Sequence, residues 1–244
     1  MNKLAKVSIK GVIVSNDEYE IYDWFGIEAV CPNKVMEQIE AANGEPLEVD
    51  INSGGGDVCA GSEIYTALKE YRGDVTTRIV GLAASAASVA AMAGKKVVIS
   101  PTAQMMIHNV WSWSRGDYRD HRHESGVLEN CNKSIANAYI LKSGMQQDEV
   151  LALMDEETWF TAQQALEKGL VDEIMFEDNS TPKLVASVYH TPMLPNSVID
   201  KVRNELIKNR QSKNEQPQET ERSAKVPLSL LQKKLSLQGR MMNR

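Results

Sequence analysis

The chain has 244 residues, of which 42% are hydrophobic and 25% charged, and its formal net charge is −6. A chain of this length can bury a sizeable core, so we expect an ordinary folded protein whose main domain covers residues 1–180. Residues 195–244 carry 11 Lys/Arg against 5 Asp/Glu, but they include neither aromatic residues nor a dense basic block. We therefore expect no nucleic-acid partner.

The three cysteines, Cys31, Cys59 and Cys131, are odd in number and widely separated, and their spacing is not that of a metal site. This pattern predicts no disulfide, no bound metal and a reducing compartment, with all three thiols in packing roles. Residues 1–10 lack the continuous apolar region of a signal peptide, and the weakly polar run 79–94 is too short to cross a membrane. We expect a cytoplasmic protein with no membrane partner.

Strand-like and helix-like patterns alternate along the first part of the chain. The predicted elements are a strand at 6–14, a helix from Pro32 to a stop at Asn43–Gly44, a strand at 47–51, a glycine turn at 52–57, a helix through Tyr71 and a strand at 75–80. This alternation favours helices packed on a largely parallel sheet. Sites in such α/β folds lie at the carboxyl ends of the strands.

The second part of the chain continues with shorter elements. We predict strands at 97–99 and 105–107, a long polar helix from about 117 to 143, a short helix at 148–154, a strand opened by Glu157, a helix with a Thr161–Gln164 capping box, and a closing segment at 171–175. Three further regions follow the main domain: a helix-bearing extension (181–210), a polar linker of disordered composition (211–225) and an amphipathic segment (226–244).

Ser85 lies where the strand at 75–80 gives way to a run of small residues, Gly81-Leu82-Ala83-Ala84-Ser85-Ala86-Ala87-Ser88, which predicts a helix reaching Gly94. The first N–H groups of a helix have no intrahelical partner, so an anion forming beside Ser85 would be stabilised there. A serine at such a corner can be a nucleophile. Small residues also occur simply where a helix packs closely on a sheet, so the run alone leaves both readings open.

The run Gly54-Gly55-Gly56 precedes a predicted helix, but it has the spacing of neither a P-loop nor a dinucleotide-binding loop. It is consistent with a plain tight turn. It is also consistent with backbone N–H groups exposed to a reacting oxygen, because glycine permits close approach.

Four corners of the predicted fold together supply what acyl transfer requires. Ser85 offers a hydroxyl, His108 at a strand end an imidazole, and Glu157 a carboxylate, while Gly56 offers an N–H donor. His121 and His123 lie on the long polar helix, where we expect solvated side chains. Ser88, one turn beyond Ser85, is interpreted as a packing residue.

Four blocks in this order resemble the Clp protease proteolytic subunit family over residues 45–176, and more closely its phage branch, the head maturation proteases. The blocks are Asn52-Ser53-Gly54-Gly55-Gly56, Gly81-Leu82-Ala83-Ala84-Ser85, Met106-Ile107-His108, and Glu157-Thr158-Trp159-Phe160-Thr161-Ala162 through Gly169-Leu170-Val171-Asp172. The resemblance implies an α/β fold of the Clp protease and crotonase type, a spiral of ββα units. It also implies that 117–143 is a protruding handle helix that interlocks two rings.

The resemblance implies a role for each matching position. Ser85 corresponds to the nucleophile, His108 to the general base, and the N–H groups of Gly56 and Ala86 to the oxyanion hole. Glu157 stands at the position of the family's catalytic Asp. Its extra methylene changes its reach, so Asp155 is the alternative candidate for the acid. Gly54 stands where the family usually has proline.

The resemblance further implies a serine endopeptidase without a cofactor that forms a ring of identical subunits, possibly stacked heptamers. Capsid or scaffold proteins processed during phage head maturation are the expected substrates, inside the host cytoplasm or procapsid. A host-type Clp peptidase served by a separate AAA+ unfoldase is the biological alternative. A crotonase-like acyl-CoA hydratase or isomerase and an inactive structural ring subunit are the other functions left open.

Overall fold

The computed structural model describes residues 4–177. The predicted extension, linker and amphipathic segment at 181–244 lie outside the described residues. The strands are β1 (Ala5–Ile13), β2 (Ala29–Val30), β3 (Leu47–Gly56), β4 (Val75–Ala84), β5 (Lys96–Ile99), β6 (Gln104–Ile107), β7 (Thr158–Thr161) and β8 (Glu173–Ile174). The helices are α1 (Tyr19–Phe25), α2 (Pro32–Ala41), α3 (Val58–Glu70), α4 (Ala86–Ala91), α5 (Tyr118–Ser143), α6 (Gln147–Asp155) and α7 (Ala162–Glu167).

The strands form one sheet in the order β2-β1-β3-β4-β5-β8, with β6 paired to β4 and β7. Every pairing in it is parallel except that of β6 with β7. The predicted α/β class with a largely parallel sheet is therefore confirmed. The carboxyl ends of β3, β4 and β6 lie at one edge, where β3 leads into α3 and β4 into α4.

The core forms where alternating strand residues meet the helices. Leu47, Val49 and Ile51 on β3 are 0–1% exposed, as the alternating pattern predicted. All six residues of α4 are buried, and this helix packs against α3, β3 and β4. Gly61 of α3 permits that close approach, because a Cβ at this position would lie 2.8 Å from the Ala86 Cβ.

Two element boundaries differ from those predicted. Residues 52–56 belong to β3, because Gly55 and Gly56 pair in register with Val12 and Ile13 of β1, so the predicted glycine turn is wrong. β4 extends beyond the predicted strand at 75–80 to Ala84, because residues 82–84 pair with β6. α4 begins at Ala86, directly after Ser85, and ends at Ala91, before the predicted end at Gly94. In both places pairing with a neighbouring strand overrides the local preference of small residues.

The long polar helix is confirmed as α5, and its ends have the expected signals. Asp117 caps it in a reciprocal pair with Asp120, and Gly144 ends it with a φ of 76°. The buried residues of α5, Ala136, Ala138 and Tyr139, all lie in its C-terminal half. The N-terminal half has no buried side chain, as expected of a helix that extends from the body.

The cysteines only partly match the prediction of three packing residues. All three are free thiols. Cys31 is buried and Cys131 is intermediate, but Cys59 on α3 is exposed. The packing role is therefore wrong for Cys59, which lies on the face of α3 that points away from the core.

Candidate active site

Ser85 is the single residue between β4 and α4, and its backbone is strained. Its φ of 55° and ψ of −129° lie in a region that residues other than glycine rarely adopt, at a cost of about 1–3 kcal/mol. The surrounding structure holds both backbone groups. The N–H of Ser85 donates to Met106 O at 3.0 Å, and its carbonyl accepts the N–H of Ser88 at 2.9 Å.

His108 follows the last residue of β6, and strand pairing brings it to Ser85. Ala84 pairs with Met106, so the residues that follow each strand become neighbours. His108 Nε2 lies 2.7 Å from Ser85 Oγ, within hydrogen-bond distance. A half-buried imidazole in this position can accept the hydroxyl proton as the oxygen attacks an electrophile.

The end of β3 approaches this pair more closely than a side chain would allow. A Cβ on Gly55 would lie 2.7 Å from Ser85 Cβ. Gly56 has a φ of 148°, and a Cβ there would lie 2.0 Å from Ile13 O. These two glycines are therefore required by close approach and conformation, whereas Gly54 has nothing within 4 Å of such a Cβ.

The two predicted oxyanion donors border the same cleft as Ser85 and His108. Gly56 ends β3, and Ala86 is the first residue of α4, where backbone N–H groups have no partner within the helix. Two N–H groups near a serine nucleophile can stabilise the negative charge that develops on a carbonyl oxygen.

The carboxylates predicted to orient His108 are both exposed and are engaged elsewhere. Glu157 accepts a hydrogen bond from Trp159 Nε1 at 3.3 Å, and its φ is 48°. Asp155 accepts one from Asn109 Nδ2 at 2.7 Å. Across residues 4–177, no hydrogen bond joins His108 to either carboxylate, so the structure brings together the serine and the histidine without the acid.

A cleft of about 1130 Å³ opens over Ser85 and His108. Its walls include Trp111 and Trp113, which are 66% and 88% exposed and meet edge to face with ring centroids 6.1 Å apart. Our sequence interpretation did not include these residues. Two tryptophans in a short polar loop directly after the candidate base were the signal available, because large aromatics are seldom left in such loops without a contact to make.

The remaining polar residues singled out from the sequence lie outside the reacting pair. His121 and His123 are exposed on α5, as expected. Ser88 is fully buried, which agrees with its predicted packing role. In the described part of the chain no group of three or more His, Cys, Asp or Glu side chains could hold a metal ion. None of the helices between residues 4 and 177 is long and apolar enough to span a membrane.

Comparison with known proteins gives consistent matches. The family model described as Clp protease matches residues 25–178. An ATP-dependent Clp protease proteolytic subunit of Bacteroides fragilis is 35% identical over 136 residues, which is 55% of this chain and 66% of that protein. The ATP-dependent Clp protease proteolytic subunit 1 of Leifsonia xyli subsp. xyli is 34% identical over 126 residues, which is 51% of this chain and 64% of that protein. The ATP-dependent Clp protease proteolytic subunit of Bacteroides thetaiotaomicron is 32% identical over 136 residues, which is 55% of this chain and 62% of that protein.

The matched region thus spans slightly less than two thirds of the length of these relatives. The family match covers more than half of this chain and includes Ser85, His108 and the glycine end of β3. With the parallel sheet and the strained serine corner, it shows that the chain belongs to the Clp protease family.

Proposed function

We propose that the protein is a serine endopeptidase in which Ser85 is the nucleophile and His108 the general base. The observation that carries this proposal is the 2.7 Å contact between Ser85 Oγ and His108 Nε2 at a strained strand-to-helix corner. A hydroxyl alone is a weak nucleophile, and an adjacent base is the usual means of activating it. Membership of the Clp protease family supports the same reaction.

In the proposed reaction His108 Nε2 accepts the proton as Ser85 Oγ attacks a peptide carbonyl. The resulting oxyanion accepts hydrogen bonds from the N–H groups of Gly56 and Ala86. His108 then donates the proton to the leaving amine, and an acyl ester remains on Ser85. A water molecule, deprotonated by His108, hydrolyses that ester and restores the serine.

We further propose that Glu157 orients His108 during the reaction, with Asp155 as the alternative. Glu157 directly precedes β7, which pairs with the strand that leads to His108. Its side chain is exposed and its contact to Trp159 is long, so a rotamer change costs little. Asp155 is held by Asn109, the residue next to His108, and could be released by a rotation of that amide.

The hydratase and the inactive ring subunit are less well supported. A crotonase-like hydratase needs no hydrogen-bonded serine and histidine, and the family match is to a protease. An inactive subunit gives no reason for Ser85 to keep a strained backbone beside a base.

Ring assembly, substrate and location are also part of the proposal. The resemblance to the phage branch supports capsid or scaffold proteins as substrates of a ring of identical subunits. The relatives are named ATP-dependent, which supports instead a ring served by an AAA+ unfoldase. Three unpaired thiols fit a cytoplasmic location.

The catalytic proposal is tested by comparing the wild type with Ser85→Ala on a fluorogenic peptide. Loss of the nucleophile of a triad lowers turnover on the order of a million-fold, so no cleavage above background is expected. Ser125→Ala, an exposed serine on α5, should cleave at the wild-type rate. Cleavage by Ser85→Ala at the wild-type rate would overturn the assignment.

The substrate is tested by mass spectrometry of phage capsid protein co-expressed with the wild type or with Ser85→Ala. Trimmed capsid protein in the first sample only supports head maturation. Intact capsid protein, together with degradation of a tagged folded protein when an AAA+ unfoldase and ATP are added, supports the host-type role.

A further inference from the structure

We propose that Ser88 and Tyr139 are positioning residues that hold the Ser85–Ala86 peptide group in the orientation needed for oxyanion binding. This inference rests on the proposed serine peptidase function. It gives Ser88 a role beyond the packing predicted from the sequence, and it links α5 to the reacting corner.

The contact is a chain of two hydrogen bonds. Ser88 Oγ donates to the carbonyl oxygen of Ser85 at 2.6 Å and lies 2.7 Å from Tyr139 Oη. Both side chains are 0% exposed. A serine hydroxyl has one proton, and since Ser88 gives it to the carbonyl, the phenol of Tyr139 must donate to Ser88.

Burial keeps the phenol in its donating form. Removal from water disfavours the phenolate and raises the pKa of Tyr139 well above its ordinary value. Tyr139 is therefore a neutral donor near neutral pH, where the hydrogen-bond chain keeps this direction.

The planar peptide group transmits this contact to the oxyanion hole. The carbonyl of Ser85 and the N–H of Ala86 belong to one rigid trans peptide, so fixing the oxygen fixes the opposite N–H. The N–H groups of Ser88 and Val89 also donate to this carbonyl, at 2.9 and 3.3 Å, and hold it against the first turn of α4. The hydroxyl of Ser88 adds a tie to α5 that those local bonds lack.

The strained backbone of Ser85 tends to relax, and the hydrogen bond from Ser88 opposes that relaxation. A serine at φ 55° gains by relaxing towards negative φ, and such a rotation would turn the Ala86 N–H away from the cleft. The N–H of Ser85 is held by Met106, so the two ends of the residue are anchored to different elements. The tie from Tyr139 resists rotation at the carbonyl end.

Thr77 provides a matched control at the other end of the same helix. Its hydroxyl donates to the carbonyl of Ala91 at 2.8 Å, and its side chain is also 0% exposed. Thr77 lies on β4, and Thr77→Val removes a buried hydroxyl that bonds the C-terminal end of α4. Ser88→Ala removes one within the first turn of the helix. Both substitutions should lower stability, but only Ser88→Ala removes a hydrogen bond to Ser85.

The experiment measures kcat, KM and the unfolding temperature for the wild type, Ser88→Ala, Tyr139→Phe and Thr77→Val. Removing one oxyanion donor outright costs about 10²–10³ in kcat, so a displaced donor in Ser88→Ala should cost on the order of tenfold with KM unchanged. Tyr139→Phe, which keeps the ring and its packing, should show a smaller loss of kcat. Thr77→Val should unfold at a lower temperature with kcat unchanged.

Crystal structures of the same variants give a readout that does not depend on activity. We expect Ser85 to leave positive φ in Ser88→Ala and to keep it in Thr77→Val. Equal kcat for Ser88→Ala, Tyr139→Phe and Thr77→Val, or an unchanged Ser85 backbone in Ser88→Ala, would overturn the positioning role. If Ser88→Ala does not fold, Tyr139→Phe alone decides. A wild type without peptidase activity would overturn the proposed function, and the crystal structures would then decide the positioning role.

Discussion

Ser85 has a backbone conformation that serine rarely adopts, and the glycines at the end of β3 make room for it. Gly55 is buried directly against Ser85, where a Cβ would come within 2.7 Å of the Ser85 Cβ and the Ala84 carbonyl oxygen. Gly54, one residue earlier, is exposed and unobstructed. Gly55 therefore has no space for a side chain, whereas its neighbour Gly54 has.

This difference predicts opposite outcomes for two alanine substitutions. Gly55→Ala should displace the serine, and because a misplacement of about 1 Å can cost on the order of 10²-fold, kcat should fall by about that factor. Gly54→Ala should leave kcat within about twofold of the wild type, because a Cβ there meets nothing within 4 Å and leaves Ser85 in place. Steady-state kinetics on one peptide substrate measures both, and similar kcat values for the two variants would contradict the crowding argument.

Two carboxylates, Glu157 and Asp155, are candidates for the acid of the proposed triad. We expect Glu157→Gln to lower kcat on the order of a hundredfold or more, short of the ~10⁴ seen where a fixed carboxylate is replaced by its amide. Asp155→Asn should have less effect, because Asp155 is bonded to Asn109. The measurement is kcat of both variants at one pH. A larger loss of kcat in Asp155→Asn than in Glu157→Gln would assign the orienting role to Asp155.

Among the candidate catalytic residues, the sequence predicted correctly that Ser85 and His108 meet, but the predicted contact of His108 with a carboxylate is absent between residues 4 and 177. Ser85 and His108 were expected to meet and are hydrogen-bonded, while their catalytic roles stay predictions. The partners of Glu157 and Asp155 depend on side-chain rotamers, which no local pattern encodes. The link from Ser88 to Tyr139 joins residues 51 positions apart, so it could not be inferred from spacing.

Among the elements, the long helix α5 depends on its own end signals in its N-terminal half. Its N-terminal half buries no side chain, so tertiary packing contributes little there, and helix stability comes mainly from the cap. The Asp117 carboxylate accepts the N–H of Arg119 at 2.7 Å and that of Asp120 at 3.4 Å.

Removing this cap should therefore loosen the start of α5. Asp117→Ala should cost about 1 kcal/mol of stability, and Asp117→Asn, which retains an accepting oxygen, only a fraction of that. Thermal unfolding and amide hydrogen exchange across residues 118–125 measure the effect. Exchange in Asp117→Ala as slow as in the wild type would show that other contacts hold this end.

Local patterns predicted the elements well where propensity and packing agree. The long helix α5, the Thr161–Gln164 capping box and the alternation of β3 are all present. Glycine misled the prediction at the ends of β3 and β4, because these segments are strands through pairing with β1 and β6. Strand pairing is a long-range property, and a short window of sequence does not contain it.

For the whole molecule, three large aromatic side chains near the start of α5 mark a candidate contact surface. Trp111, Trp113 and Tyr118 are 66%, 88% and 70% exposed. Large exposed aromatic side chains often mark a surface that contacts another protein. In a ring of subunits, this surface is where we expect another copy of the chain to pack.

Assembly should then depend on the aromatic face. We expect light scattering of the wild type to give a multiple of the 27.1 kDa chain mass, and Trp113→Ser to shift it towards smaller species. Trp113→Tyr, which keeps an aromatic ring, should assemble as the wild type does. Full assembly of Trp113→Ser would show that Trp113 faces the cleft or solvent instead of a neighbouring subunit.

The α/β class was predicted from the alternation of strands and helices, and the Clp protease family from four short blocks of sequence. Both are confirmed. Three of the four blocks lie at the carboxyl end of a strand, β3, β4 or β6, where backbone geometry and chemistry both restrict the residue. Ring size, substrate and partners depend on surfaces outside these blocks, so they stay proposals.

The most direct test of the central claim is covalent labelling of the assembled protein by a fluorophosphonate, followed by peptide mass mapping. An activated Ser85 predicts one phosphonyl group per chain on the peptide that contains Ser85, no label in Ser85→Ala, and strongly slowed labelling in His108→Ala. Absence of label on the wild type, or label on any other residue, would contradict the account of Ser85 as a nucleophile activated by His108.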